Sequence, residues 1–256
     1  MNHLNFKQIV VFTTFCFLIS CKNETGTLSE IQGRQIPIDS TFTEIDSIST
    51  FVTPYRNRIN EVLDSTLAYA PKPLLLDDGE RSTSMGNLMA DIVFEETAPI
   101  FNSRAGKNLD FVVLNAGGVR SVISTGNVTA RNAYEVMPFE NYIVVVELDG
   151  SATRKLINFV SKATRKHPIS HIQIVTDKDR SLESVNIQGE PFDETRNYYI
   201  ATSDYLVQGG PSVGFFDEIV SVTDTDYLLR NAIIDHFKKV DTLKAIIDDR
   251  FIQLDQ

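Results

Sequence analysis

The sequence predicts an α+β fold, a single domain with a mixed β-sheet and packed helices. Three observations lead there. Helix-spaced and strand-like apolar segments interleave without the strict βαβ alternation of a parallel sheet. Of 256 residues, 42% are hydrophobic, which suffices for one sizeable core. No internal repeat or low-complexity segment divides the chain.

Each element has its own justification. Ile45, Ile48, Phe51, Tyr55, Ile59, Val62 and Leu63 recur at helical spacing, and Pro54 is expected to kink or split that helix. A second helix fits Ser84 to Ala98, with Leu88, Met89, Ile92 and Val93 facing inward. Leu109 to Leu114 reads as a buried strand running into the loop Asn115-Ala-Gly-Gly-Val-Arg120. Thr129 caps a short helix through Val136, which Pro138 ends. Tyr142 to Leu148 is a strand, and Asp149-Gly150 turns into a helix from Ser151 to Lys162. Strands are expected at Ile172 to Thr176, Ser184 to Ile187 and Tyr198 to Ser203. Helical patterns close the chain at about Tyr227 to Phe237 and Leu243 to Phe251.

The N-terminus has a different character. Residues 1–20 hold Lys7 and no acid, with an apolar run from Ile9 to Ile19 and Ser20 directly before Cys21. That run falls short of the roughly twenty residues needed to cross a hydrocarbon layer, but it matches the apolar core of a secretory signal. Leu18-Ile19-Ser20-Cys21 resembles the lipobox of bacterial lipoproteins, in which the chain is cut before a Cys whose thiolate receives acyl chains. The alternative is an ordinary secretion signal with an incidental Cys. The resemblance divides the chain into a lipoprotein signal peptide (1–20), lipidated Cys21 with a flexible tether (21–43) and the folded domain (44–256). An ordered arm is the other reading of the polar stretch from Lys22 to Thr43. The implied location is the bacterial cell envelope, lipid-anchored on a membrane facing the periplasm or the cell surface.

Loss of Lys7 with the signal leaves 23 Lys and Arg against 34 acids, a charge of −11. Such a surface repels nucleic acid polymers and anionic lipid at long range. On the lipobox reading Cys16 would leave with the signal and Cys21 would be acylated, so no thiol would remain for a disulfide and the fold would rest on its core.

Familiar phosphate cradles of the G-x-x-x-x-G-K-[ST] and G-x-G-x-x-G types are missing. His167 and His171 are four apart, but Pro168 between them opposes the helix that would align both on a metal. Gly210-Pro-Ser212-Val-Gly214, followed by Asp224 and His236, matches a serine-hydrolase order. The segment Phe215 to Ser221 reads as extended chain, however, and Ser212 to His236 is too short for the usual supporting strand and helix.

Four loop segments remain. Arg81 precedes Ser82-Thr-Ser-Met-Gly-Asn-Leu88 at a helix N-terminus, where free amides favour an anion. Asn115 and Arg120 flank Gly117-Gly118. Phe139 and Asn141 lie in Met137-Pro-Phe-Glu-Asn141, and Tyr205 precedes Leu206-Val-Gln-Gly209-Gly210. Arginines, aromatics and amides together suit a ligand with an anionic group and a flat ring. Taken singly, each has a plainer reading: Phe139 and Tyr205 as core, Arg120 as a surface ion-pair partner, Asn115 as a turn cap, and the glycine pairs as turns.

The ordered series Arg81…Ser84-Met-Gly-Asn-Leu88, Asn115-Ala-Gly-Gly-Val-Arg120, Met137-Pro-Phe-Glu-Asn141 and Tyr205…Gly209-Gly210 resembles the C-terminal domain of the 5'-nucleotidase family. That family includes nucleotide-sugar hydrolases and 2',3'-cyclic phosphodiesterases, and the resemblance spans about Ile45 to Ile252. It implies a substrate-binding role for Arg81, Asn115, Gly118, Arg120, Phe139, Asn141, Tyr205, Gly209 and Gly210. Arg81 and Arg120 would contact the substrate and Asn115 the sugar region. Phe139 and Tyr205 would stack on the two faces of the base, with Asn141 bonding its edge. The family's chemistry belongs to a two-metal metallophosphoesterase half, whose D-x-H, G-N-H-[DE] and G-H-x-H motifs do not occur here. The resemblance therefore assigns this chain no catalytic residue and no metal ligand, and expects two divalent metals only in a separate exported partner. Three positions depart from the family: Pro211 stands where an Asp usually binds the ribose hydroxyls, Ala116 replaces a Gly, and His171 lies near a usual Gly, which narrows that side of the pocket. Asp204 or Ser212 are the candidates to substitute for the missing Asp.

The leading expectation is the substrate-recognition half of a 5'-nucleotidase-like phosphohydrolase system in nucleotide catabolism or salvage. The alternatives are a stand-alone nucleoside- or nucleotide-binding lipoprotein for uptake or sensing, and a relic whose pocket has closed.

Overall fold

The computed structural model describes residues 10–11, 28, 30–39, 41–209, 218–244 and 246–255. It separates into two compact units, Met1–Thr50 and Phe51–Gln256. The architecture below is that of the second, whose first helix begins at Asp46, just before the boundary. Cys21 lies outside the described residues. Among those described, no helix is long and apolar enough to cross a membrane.

The fold is α+β, as the interleaved patterns predict. Helix α1 (Asp46–Leu63) continues through Pro54 as one helix, so the chain is not split there. Its helically spaced apolar residues do not enter the core: Phe51, Tyr55, Ile59 and Val62 are all exposed. Strand β1 (Thr66–Ala70) leads to α2 (Ser84–Ala105), where the Thr83 hydroxyl accepts from the Gly86 amide at 3.0 Å. This helix continues past Ala98 and through Pro99, and ends at Gly106, whose left-handed φ of 65° suits glycine. Leu88, Met89, Ile92 and Val93 are buried along it.

Strand β2 (Phe111–Val113) ends in a 3-10 turn, Ala116–Gly118. Strand β3 (Gly126–Thr129) pairs with β1 and feeds α3 (Ala130–Val136), where Asn132 Oδ1 accepts from the Thr129 amide at 2.9 Å. Strand β4 (Tyr142–Leu148) leads directly to α4 (Gly150–Lys162), whose cap Asp149 accepts from the Ala152 amide at 2.8 Å. Then follow β5 (Ile169–Ser170), β6 (Ile172–Thr176), β7 (Leu182–Ile187), β8 (Glu190–Pro191), β9 (Tyr198–Ser203) and the short α5 (Asp204–Val207).

Strand β10 (Ile219–Leu228) takes Tyr227, so α6 begins at Leu229 and ends at Lys239. No helix forms over the described residues from Leu243 to Phe251. That segment instead leads to β11 (Phe251–Gln253), parallel to β6. Its polar groups find distant partners: the Leu243 amide bonds the Tyr69 carbonyl at 2.9 Å, and Asn87 Nδ2 bonds the Ile246 carbonyl at 2.8 Å. Asp248 and Asp249 would also sit unfavourably at a helix C-terminus.

The central sheet is five-stranded in the order β10-β4-β9-β2-β5, with β2 and β9 parallel and the other pairs antiparallel. A four-stranded sheet, β11-β6-β7-β8, lies beside it in the same unit. Strand periodicity divides the core. Val112, Ile143, Val145 and Ala201 pack with α2 and α6, whereas Phe111, Val113, Val146, Leu148, Tyr198 and Ile200 pack with α4 and the smaller sheet.

Candidate functional site

The loops leaving β2, α3, α4 and β9 border one cavity of about 630 Å³. Its lining includes Asn115, Gly117, Gly118, Arg120, Phe139, Asn141 and Tyr205, together with Phe159, Ala163, Thr164, Arg165 and His167. Six of the sequence-selected residues thus meet in space although they span ninety positions of chain: Asn115, Gly118, Arg120, Phe139, Asn141 and Tyr205.

Local geometry explains each placement. Asn115 Oδ1 accepts from the Gly117 amide at 3.1 Å and its carbonyl accepts from Gly118 at 2.9 Å, which closes the turn. The Arg120 amide is tied to the Val136 carbonyl at 2.9 Å, bringing the turn beside the end of α3. Arg120 Nη1 donates to the Gly117 carbonyl at 3.3 Å, and its guanidinium carbon lies 5.9 Å from the Phe139 ring centroid. The Arg230 guanidinium, buried against Tyr134, reaches the carbonyls of Pro138 and Phe139 at 3.4 Å each and fixes that loop from below.

Asp204 Oδ1 accepts from the Tyr205 amide at 2.8 Å and from the Tyr142 amide at 3.1 Å. It locks the two chain segments that carry Tyr205 and Asn141, so that oxygen is engaged in scaffolding. Ser212, Pro211 and Gly210 lie outside the described residues. Gly209 adopts a φ of 98°, which requires glycine in this turn.

Phe139 and Tyr205 are each 42% exposed, so neither is a core side chain. The cavity is open, contrary to the closed-relic alternative. Arg81 departs from its expected role. It is not on the lining; instead Nη2 donates to the Ser161 carbonyl at 2.6 Å and Nη1 to Ala163 at 3.4 Å, with the guanidinium over the Phe251 ring. Burial, with the neighbouring Arg180 charge, lowers its pKa from the ordinary arginine value. The orphan carbonyls at the C-terminus of α4 hold this cation, as the negative end of a helix favours.

Sequence reasoning missed Phe159, Thr164, Arg165 and the placement of His167. The available signal was Ala163-Thr-Arg-Lys-His167, a basic run immediately after a helix. His167 Nδ1 lies 3.1 Å from the Leu114 carbonyl, so that nitrogen carries the proton and the neutral ring keeps Nε2 as an acceptor. Burial chiefly, and then the Arg165 charge, lower the His167 pKa against the opposing Leu114 bond. His171 does not narrow this cavity. It lines a separate depression with Asp91, Ser170 and Arg250, stacks on Phe94, and has a φ of 62°, the conformation that favours glycine at such a position. His236 approaches Glu95 at 3.4 Å.

The described lining offers one imidazole and no carboxylate, which is a poor donor set for hard divalent cations. Among the described residues, no group of three or more His, Cys, Asp or Glu side chains converges as a metal site. What the cavity presents is three aromatic side chains (Phe139, Phe159 and Tyr205), one imidazole, two amides and two guanidinium groups.

Residues 70–218 match the family model described as 5'-nucleotidase, C-terminal domain. The chain belongs to this family. Protein UshA of Yersinia enterocolitica is 28% identical over 146 residues, covering 56% of this chain and 26% of that protein. Protein UshA of Escherichia coli is 23% identical over 198 residues, covering 72% of this chain and 33% of that protein. The chain thus spans a third or less of the length of these relatives. The 5'-nucleotidase precursor of Thermus thermophilus shares the fold with a TM-score of 0.68 and 23% identity, over 82% of this chain and 44% of that one. NAD nucleotidase of Haemophilus influenzae aligns with a TM-score of 0.62 and 15% identity, over 100% of this chain and 46% of that one. Within this 5'-nucleotidase C-terminal domain, the cavity and its aromatic pair lie in or beside the matched segment, whereas α1 precedes it.

Proposed function

We propose that the cavity binds a nucleotide or nucleoside, and that the chain is the substrate-recognition half of a 5'-nucleotidase-like phosphohydrolase system. One observation carries this reading: Phe139 and Tyr205, far apart in sequence and both exposed, border a single cavity with Asn115, Asn141 and Arg120. Aromatic faces that border one cavity suit a flat ring, which can stack between or against them. The two amides supply donors and acceptors for a base edge or sugar, and Arg120 supplies charge for an anionic group.

The reaction would be phosphate-ester hydrolysis, with the attacking water activated by two divalent metals in a separate exported metallophosphoesterase. This chain's residues orient the substrate and exclude water from the base; they hold no nucleophile in the reaction. Cys21 would carry the lipid that keeps the protein in the cell envelope, where such a partner would meet released nucleotides.

Calorimetric titration of the purified chain with adenosine and AMP tests the reading. Binding of either at micromolar to millimolar concentration supports it. If wild type binds neither up to millimolar ligand, alone or with the metallophosphoesterase present, the reading fails.

A further inference from the structure

The cavity has a second guanidinium that neither the motif series nor the family match assigns. A Cβ built on Gly117 would lie 3.2 Å from Arg165 Nη1, and Arg120 Nη1 already donates to the Gly117 carbonyl at 3.3 Å. Two cationic forks therefore converge on one glycine. Both arginines are exposed on the cavity lining, which holds no carboxylate among the described residues. Neither has an ion-pair partner among those residues, in a chain whose formal charge is −10. By contrast Arg104, Arg131, Arg154, Arg196 and Arg250 each meet a carboxylate. Where acids are in excess, two neighbouring unpaired guanidinium groups mark a place kept for an anion from outside.

The position of Arg165 has a structural cause. It follows the C-terminus of α4, whose Ser161 and Ala163 carbonyls are held by Arg81 at 2.6 and 3.4 Å. Arg180 Nη1 reaches the Lys162 and Ala163 carbonyls at 3.4 Å each. These bonds fix the backbone leading to Arg165. Gly117 leaves the space that the Arg165 side chain occupies.

We infer that Arg165 and Arg120 together form a fork for a phosphate-type oxyanion, and that Arg81 is a positioning residue acting through Arg165. The ligand's identity as a nucleotide rests on the reading proposed above; the arginine fork does not. A phosphate monoester dianion fits this pair, since each guanidinium can present two N–H groups to its oxygens. Arg165 thereby makes the site prefer nucleotides to nucleosides.

The test uses the full chain in low-salt calorimetry with adenosine, AMP and inorganic pyrophosphate as probes, and thermal melts to confirm folding. Arg165→Ala is expected to weaken AMP and pyrophosphate by about ten- to a hundredfold, the scale of a lost charge-assisted bond, while adenosine changes by less than about twofold. Arg165→Lys should recover part of the loss. Arg81→Lys should weaken AMP in the same direction, but add nothing when combined with Arg165→Ala, because its effect passes through that residue. An Arg165→Ala variant that binds AMP as wild type does, while Arg120→Ala loses it, overturns the fork. Wild type that binds adenosine no worse than AMP keeps the base site and likewise overturns the fork. Arg165-dependent binding of pyrophosphate without adenosine or AMP keeps the fork and removes the nucleotide reading. Binding of none of the three overturns both.

Discussion

The guanidinium carbon of Arg120 stands 5.9 Å from the centroid of the Phe139 ring, so the charge and the ring proposed to receive the ligand meet at one edge of the cavity. Their variants should nevertheless fail differently. Phe139→Ala is expected to weaken adenosine and AMP alike by about ten- to a hundredfold, because a stacking ring is worth about 1–3 kcal/mol per base in nucleic-acid binders. Its melting temperature should barely move, since the ring is 42% exposed. Arg120→Ala should weaken AMP more than adenosine, by a factor that shrinks as salt rises. Equal losses for both ligands in both variants would contradict this division.

Gly150 opens α4 with no room for a side chain: a Cβ there would lie 2.0 Å from the Glu194 carbonyl oxygen. Helix propensity alone favours Ala over Gly by about 1 kcal/mol. Packing should win, so that Gly150→Ala destabilises by about 1–3 kcal/mol or more, because backbone rather than a flexible side chain must move. Urea unfolding measures it, and a stabilised variant would refute the close approach.

Arg250 fastens β11 to the rest of the domain. It meets Asp91 at 2.9 and 3.0 Å, Asp248 at 2.7 and 2.8 Å, and the Ile169 carbonyl at 2.8 Å. Burial opposes its charge, yet the two carboxylates outweigh burial and hold its pKa above the ordinary arginine value. Arg250→Ala should cost about 3 kcal/mol, the low end for breaking a buried pair, because both carboxylates keep contact with water. Arg250→Lys should retain part of this stability. A loss below about 1 kcal/mol in chemical denaturation would show that the pair is solvated away.

Three histidines set an acid limit on stability. Burial is the main cause of the lowered pKa of His167, His171 and His236, with Arg165, Arg250 and Lys239 respectively pushing the same way. Asp91 opposes the shift at His171, and Glu95, Glu96 and Asp91 oppose it at His236. The unfolded chain therefore takes up protons below about pH 6.5 that the folded chain still refuses. Their contribution is complete above that pH and is lost as pH falls through the lower folded values. Melting temperature should decline between about pH 6.5 and 5, before most carboxylates titrate, and His167→Gln should flatten part of the slope. A melting temperature that is level or rises over that interval would contradict the assignment.

The proposed anchor is tested by Cys21→Ala. The apolar run before it is too short to span a bilayer, so the variant should lack lipid and leave the membrane fraction. Continued sedimentation of lipid-free protein with membranes would count against acylation at Cys21.

Much of the fold was legible because local chemistry encodes it. Tyr142–Leu148, Ile172–Thr176 and Tyr198–Ser203 are strands over the expected residues, since each is a β-branched or aromatic run bounded by turn-formers. Thr129 and Asp149 begin their helices because caps act within three residues. The motif series likewise led to the family and gathered Asn115, Gly118, Arg120, Phe139, Asn141 and Tyr205 in one set, which the structure brings to a single cavity.

Other features depend on partners that no local pattern specifies. Strand β10 carries exposed and polar residues along most of its length, and exists because β4 offers an edge. The helix expected near Leu243 to Phe251 gives way to contacts with Tyr69, Asn87 and Asp91. Arg81 and Arg165 show the same limit at the site. By sequence, Arg81 held the better position, at the start of a helix. In three dimensions the α4 carbonyls take Arg81, while Arg165 reaches the cavity. Sequence by itself determined which residues could form the helices, the buried strands and the ring-and-amide set, because propensity, capping and periodicity act over a few residues. Tertiary structure alone decided which arginine lines the cavity and which braces a helix end, because that depends on unpaired carbonyls eighty residues away along the chain.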